Sequence, residues 1–325
     1  DLTATTVHWS SDFHVGDWLD PAAPPDRPGD SRTDPRLVAT AYHARTARLT
    51  AQTAALLAEH ETEARLGAVA ARARALSPAQ FVPPAGLVVT DTVTALAIAL
   101  VFDLLEDEDQ RSAAGARLAE LVREGDHLIQ TGFVGTPLVC DALASTGHLD
   151  TAYHLLMRQE APSWLYPVTM GATTVWERWD SLLADGSVNP GEMTSFNHYA
   201  LGAVVDFLHR VVGGLELVDA GWSRVRVAPR PGGGLRRAST AHLSPHGRIA
   251  VEWSRDGESL TVDIEVPAAV TAVVDLPGGP PVEVGEGMHR FTAPYRSASD
   301  DPARPRRWNI HNPEERLQMI EAGVV

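Results

Sequence analysis

Residues 34–56 read Asp-Pro-Arg-Leu-Val-Ala-Thr-Ala-Tyr-His-Ala-Arg-Thr-Ala-Arg-Leu-Thr-Ala-Gln-Thr-Ala-Ala-Leu, and this stretch sets the architecture. Asp34 offers a side-chain oxygen to the first free amides of a helix. Pro35 at the first helical position is harmless, because its missing N–H would be unpaired there anyway. Val38, Tyr42, Arg45, Leu49, Thr53 and Leu56 then recur at three- and four-residue steps, which predicts one face of a long helix.

The helical period continues downstream. An alanine-rich helix is predicted over roughly 61–76. Asp91 opens another, carrying Val93, Leu96, Ala97, Leu100 and Val101, and helices near 109–124, 134–146, 149–159 and 196–212 follow. No strands alternate with them, which argues against a βαβ arrangement and for stacked helical hairpins. Upstream, residues 1–33 are polar, proline-containing and aperiodic, so an irregular segment is expected. After Gly213-Gly214 the period drops to two. Val225-Arg226-Val227, Ile249–Trp253, Leu260–Val266 and Ala272–Leu276 alternate, with Asp256-Gly257 as a hairpin signal between two of them. The expected class is therefore mainly α with a small antiparallel β domain. Its boundaries are drawn at 1–214, 215–295 and a polar tail, 296–325, with one short helix after Asn312-Pro313.

Composition narrows the function. The chain has 325 residues, 44% of them hydrophobic, enough for one large core and a smaller one. A formal charge of −15 argues against a nucleic-acid partner, whose phosphates need a basic face. No apolar run approaches the roughly 20 residues of a membrane helix, so no membrane partner is expected. Asp1–Thr6 has neither the basic region nor the apolar core of a secretory signal, and the compartment stays open. The lack of an initiator Met suggests an internal start. Cys140 is the single cysteine, which rules out an internal disulfide and a cysteine-based zinc site; a small buried residue is the plain reading. The 13 histidines show no metal-ligand spacing, Gly232-Gly233-Gly234 lacks the Lys and helix of a phosphate loop, and no Gly-x-Ser-x-Gly elbow is present. No cofactor or metal is expected.

The tryptophans point to a ligand. Eight are present, at 9, 18, 164, 176, 179, 222, 253 and 308, and five fall in the interrupted segments 9–18 and 164–179. A tryptophan face beside carboxylates suits the apolar side of a sugar ring and its hydroxyls, although core packing would use the same residues. Glu177 lies in Trp176-Glu177-Arg178-Trp179-Asp180. Aromatic neighbours favour its protonated form and Arg178 its ionised form; an ionised carboxylate in a cleft could act as a general base, and an Arg–Glu structural pair is the alternative. His198 could bond a substrate hydroxyl, orient Glu177, or simply be a satisfied core residue. Asp17 could serve substrate or bond loop amides.

Gly171–Asp180 followed by Ser195-Phe196-Asn197-His198-Tyr199 resembles the late catalytic-domain signature of bacterial α-L-rhamnosidases, family 78 of the glycoside hydrolases. Gly16-Asp17-Trp18-Leu19 is similar to another segment of that family, and His246–Trp253 resembles its C-terminal β domain. The resemblance covers about residues 1–290. It implies an (α/α)6 barrel, here incomplete, followed by a β-sandwich. It also implies hydrolysis of terminal α-L-rhamnosides with inversion, with a rhamnose-containing glycoside as substrate. Glu177 would be the general base, with Trp18, His198, Asp17, Trp164 and Trp176 in substrate binding. The family's acidic motif for the general acid is not found, so an N-terminal segment or a second chain is expected to supply it and complete the barrel. The alternatives are a non-catalytic carbohydrate-binding or interaction fragment of that family and, less in keeping with the Trp-Glu-Arg-Trp string, a lyase of six-hairpin fold.

Overall fold

A computed structural model describes residues 14–24, 26–81 and 91–295, without side chains for 75–81. Trp9, Trp308 and the helix expected after Pro313 lie outside the described residues. The chain divides into two compact units, one reaching Gly202 and the other running on from Ala203.

The first unit is helical: α1 (Pro35–Leu56), α2 (His60–Phe81), α3 (Val93–Val101), α4 (Glu108–Glu124), α5 (Thr136–Ser145), α6 (Leu149–Met157) and α7 (Leu165–Thr169). Three of the starts carry a side-chain cap. The Asp34 carboxylate accepts from the Arg36 N–H at 2.8 Å, the Thr92 hydroxyl from the Ala95 N–H at 3.3 Å, and the Asp107 carboxylate from the Gln110 N–H at 2.8 Å. Thr92, one residue after the expected Asp91, is thus the cap of α3. Sequence neighbours pack together, α1 on α2, α3 on α4 and α5 on α6, and α3 also packs on α5. Val93 to Leu100 of α3 are buried on every side, which suits a central helix.

The buried face of α1 differs from the expected one. It runs through Leu37, Ala41, Ala44, Ala47, Ala51 and Ala54; of the stripe predicted from Val38 to Leu56 only Val38 is buried, while Leu49 and Leu56 are 44% and 88% exposed. Alanines make up most of this buried face, and a pattern scored on large apolar residues misses it. Helix α7 was not expected either: Leu-Tyr-Pro-Val-Thr is too short to show a period. The helix expected over 196–212 begins at Ala200, as one 3₁₀ turn, one α turn and a π turn ending at Val212.

Among the described residues, the second unit has eight strands: β1 (Leu215–Asp219), β2 (Arg224–Val227), β3 (Arg237–Ser244), β4 (Gly247–Asp256), β5 (Ser259–Val266), β6 (Thr271–Val274), β7 (Val282–Val284) and β8 (Gly287–Pro294). They form two four-stranded sheets, β1-β2-β6-β7 and β3-β4-β5-β8. All pairs are antiparallel except β2 with β6, which is parallel. Asp256 pairs with Ser259 across the expected hairpin, where Gly257 takes φ +54°. Ile249, Val251, Trp253, Leu260, Val262 and Ile264 line one sheet's buried face, with Leu215, Val225, Val227, Ala272 and Val274 buried on the other. Trp253 is fully buried, and its indole N–H donates to the Val212 carbonyl at 2.7 Å.

Candidate active site

The candidate carboxylate sits on an irregular two-stranded ribbon in the first unit. The Glu177 N–H donates to the Ser195 carbonyl and the His198 N–H to the Val175 carbonyl, both at 2.8 Å. The Thr174 hydroxyl donates to the Phe196 carbonyl. Backbone pairing thereby carries Glu177 and His198, 21 residues apart in the predicted pattern, onto adjoining strands. It also explains why the following helix starts only at Ala200, since residues 195–198 spend their amides and carbonyls on the ribbon.

Glu177 is half-buried, and its Oε2 accepts one hydrogen bond, from the Ser195 N–H at 3.2 Å. Its other oxygen has no hydrogen-bond partner among the described residues. Arg178 does not pair with it: the guanidinium bonds Asp180 Oδ1 at 3.2 Å and the Glu192 carbonyl at 3.4 Å. The Arg–Glu pair considered from sequence is replaced by an Arg178–Asp180 pair.

The His198 ring stacks on Phe133 (centroids 5.1 Å apart, planes at 25°) and on Tyr199 (5.2 Å, 9°). The Ala200 N–H points at His198 Nδ1 from 3.2 Å. A backbone N–H can only donate, so Nδ1 is the acceptor and the neutral ring carries its hydrogen on Nε2, a donor left for another group.

The tryptophans divide by environment. Trp18 is half-buried, and its carbonyl accepts from the Phe133 N–H at 2.8 Å, which links it to the Phe133–His198 stack. Trp176 is only 3% exposed and packs edge-on against Phe196 at 5.3 Å. Its ring is buried in that packing, which leaves little of the face that a sugar contact would use. Trp164 is half-buried; its indole N–H donates to the Leu201 carbonyl at 2.9 Å and its ring meets Trp179 edge-on at 5.7 Å. With its only polar hydrogen taken, Trp164 has little left to offer a sugar hydroxyl.

Asp17 takes the alternative considered from sequence, a carboxylate that bonds loop amides. It is fully buried, and four donors fill its carboxylate: Oδ1 accepts from the Val134 N–H (2.9 Å) and the Gly135 N–H (3.0 Å), Oδ2 from the Gly132 N–H (2.9 Å) and the Thr94 hydroxyl (2.5 Å). A carboxylate has about four lone-pair sites, so none remains for substrate. Burial pushes its pKa up, against the opposing pull of those four bonds.

Sequence reasoning missed Phe133. Its signal was Gly132-Phe133-Val134-Gly135, an aromatic between two glycines just before a helix. A Cβ on Gly132 would lie 2.2 Å from the Trp18 carbonyl oxygen and 2.4 Å from that of Asp17, so only glycine fits. On the far side of the Trp-Glu-Arg-Trp string, a cavity of about 180 Å³ is walled by Asp20, Pro24, Pro162, Arg178, Trp179 and Asp180, among others, and Glu177 does not line it. Among the described residues, no three His, Cys, Asp or Glu side chains are grouped as they would be to hold a metal ion.

Stacked helical hairpins with a carboxylate among tryptophans, and two β-sheets later in the chain, define a six-hairpin glycosidase type of fold. The chain belongs to the bacterial α-L-rhamnosidase family: residues 2–212 match the bacterial α-L-rhamnosidase six-hairpin glycosidase domain and residues 214–290 the family's C-terminal domain. It is 37% identical over 262 residues to an α-L-rhamnosidase of Formosa agariphila, covering 80% of this chain and 28% of that protein. Among solved structures it is similar to native α-L-rhamnosidase from Aspergillus terreus, at 40% identity and a TM-score of 0.84 over 86% of this chain and 33% of the other. It is also similar to Streptomyces avermitilis α-L-rhamnosidase complexed with L-rhamnose, at 34% identity and a TM-score of 0.78 over 88% of this chain and 28% of the other. The chain thus spans under a third of the length of the curated relatives it matches.

Proposed function

We propose that this chain is the base-bearing part of an α-L-rhamnosidase, which hydrolyses terminal α-L-rhamnosides with inversion and uses Glu177 as general base. The observation that carries the reading is Glu177 itself: its backbone is pinned by the ribbon, one oxygen is oriented by Ser195, and the other is uncommitted. Such a group can accept a proton from a water attacking the anomeric carbon. Inversion needs a second carboxyl group, roughly 6.5–9.5 Å from the first, to protonate the leaving oxygen from the other face. That acid is assigned to a part of the longer protein outside the described residues, an N-terminal segment or a second chain that also completes the hairpin barrel. His198 would donate from Nε2 to a sugar hydroxyl, and the Trp18 ring would pack on the apolar face of the pyranose. The L-rhamnose complex of the Streptomyces relative supports that sugar as the ligand to test.

The test is hydrolysis of an aryl α-L-rhamnoside by the longer protein carrying this chain, with and without Glu177→Gln. A loss of roughly 10²–10⁴-fold in kcat is expected for a general base. Equal rates would remove Glu177 from the mechanism.

A further inference from the structure

Asp17, Thr94, the loop 131–135 and His198 form one connected unit, although Asp17 and His198 do not touch. Three successive anchor points of the loop, the amides of Gly132, Val134 and Gly135, donate to the Asp17 carboxylate, and Thr94 on α3 closes the set. Phe133 lies between two of those anchors. Its own N–H is fixed by the carbonyl of Trp18, the residue next to Asp17. The direction of the Phe133 ring therefore follows from the Asp17 bonds, and that ring stacks on His198. Glycine at 132 and 135 is what permits the approach: a Cβ at 135 would lie 2.3 Å from the Thr94 hydroxyl oxygen.

We propose that Asp17 is a positioning residue, whose buried carboxylate holds the loop 131–135 so that Phe133 fixes the orientation of the His198 ring. The proposal rests on the reading of His198 as a rhamnose-binding group for its effect on ligand affinity, and on the geometry alone for its effect on the ring. An isolated buried carboxylate is costly. Four donors on one such group, all from two elements beside the site, give it a task that apolar packing would not perform: it sets the direction of backbone amides, and through them of a side chain.

The test uses the longer protein carrying this chain, as in the hydrolysis assay, with three variants: Asp17→Asn, which puts an amide donor where an acceptor is needed; Thr94→Val, a milder change that removes only the hydroxyl bond; and Phe133→Leu, which keeps the loop and removes the ring. Three readouts are followed: the His198 ring C–H signals by NMR, which feel the ring current of Phe133; L-rhamnose affinity by calorimetry; and the melting temperature. All three variants are expected to move the His198 signals in the same direction and to weaken L-rhamnose binding about 2–10-fold, the range for one aromatic pair. His198 signals at their wild-type positions in Thr94→Val and Asp17→Asn, with only a lower Tm, would overturn the proposal. If Asp17→Asn does not fold, the other two variants decide it. Absence of L-rhamnose binding by the wild type would refute the functional reading instead, while the His198 signals would still decide the positioning role.

Discussion

Gly132→Ala tests the packing at the site by adding a single methyl group. The new Cβ would lie 2.2 Å from the Trp18 carbonyl oxygen, 2.4 Å from the Asp17 carbonyl oxygen and 2.7 Å from the Asp20 amide nitrogen. All three are backbone atoms, so no side chain can swing aside. Ordinary contact begins near 3.4 Å, so the two segments must separate by about 1 Å. That separation breaks the Phe133 N–H bond to Trp18 and the Gly132 N–H bond to the Asp17 carboxylate, 2.8 and 2.9 Å in the intact loop. A neutral hydrogen bond contributes about 1 kcal/mol net and one to a charged group about 1.5–3 kcal/mol, while overpacking adds about 1–3 kcal/mol. The expected destabilisation is about 3.5–7 kcal/mol, read as a lower urea midpoint at unchanged m-value. A loss under about 1 kcal/mol would refute the close approach of the two loops.

Two further outcomes follow from electrostatics and burial. Hydrogen bonding to Arg117 holds the Asp91 carboxyl below its ordinary 3.8, so the stabilisation is present above that value and is lost as pH falls through the lower folded value. Because Asp91 is half-exposed, Arg117→Ala should cost no more than about 1 kcal/mol at pH 7, and the difference from wild type should shrink below about pH 4 in parallel denaturation curves. Burial pushes the Cys140 thiol well up, so the native chain should resist iodoacetamide at pH 8 and react only after unfolding, as mass spectrometry would show.

What the sequence made legible follows the strength of its signals. The helices over 108–157 were read within a few residues of their observed bounds, because their helical period is continuous and short links separate them. The α1 buried face was not, because alanine carries little weight in a hydrophobic pattern yet makes up most of that face. Strands β3 and β8 escaped because Arg237–Ser244 and Gly287–Pro294 alternate exposed with half-buried residues almost throughout, and present no apolar face to detect. At the candidate site, the motif singled out Glu177 and His198, and backbone pairing brings their segments together. Asp17 was recognised as important but given substrate as an option, since sequence cannot show that four donors already fill its oxygens. Phe133 joins the site through a loop, and no period marks a loop residue.

Glu177 is proposed to activate water for an inverting hydrolysis. The direct measurement is proton NMR of the sugar first released from an aryl α-L-rhamnoside by the longer protein carrying this chain, beside its Glu177→Gln variant. β-L-Rhamnose appearing first, with product formation reduced roughly 10²–10⁴-fold in the variant, is the predicted result. α-L-Rhamnose appearing first, or a variant as fast as wild type, would contradict it.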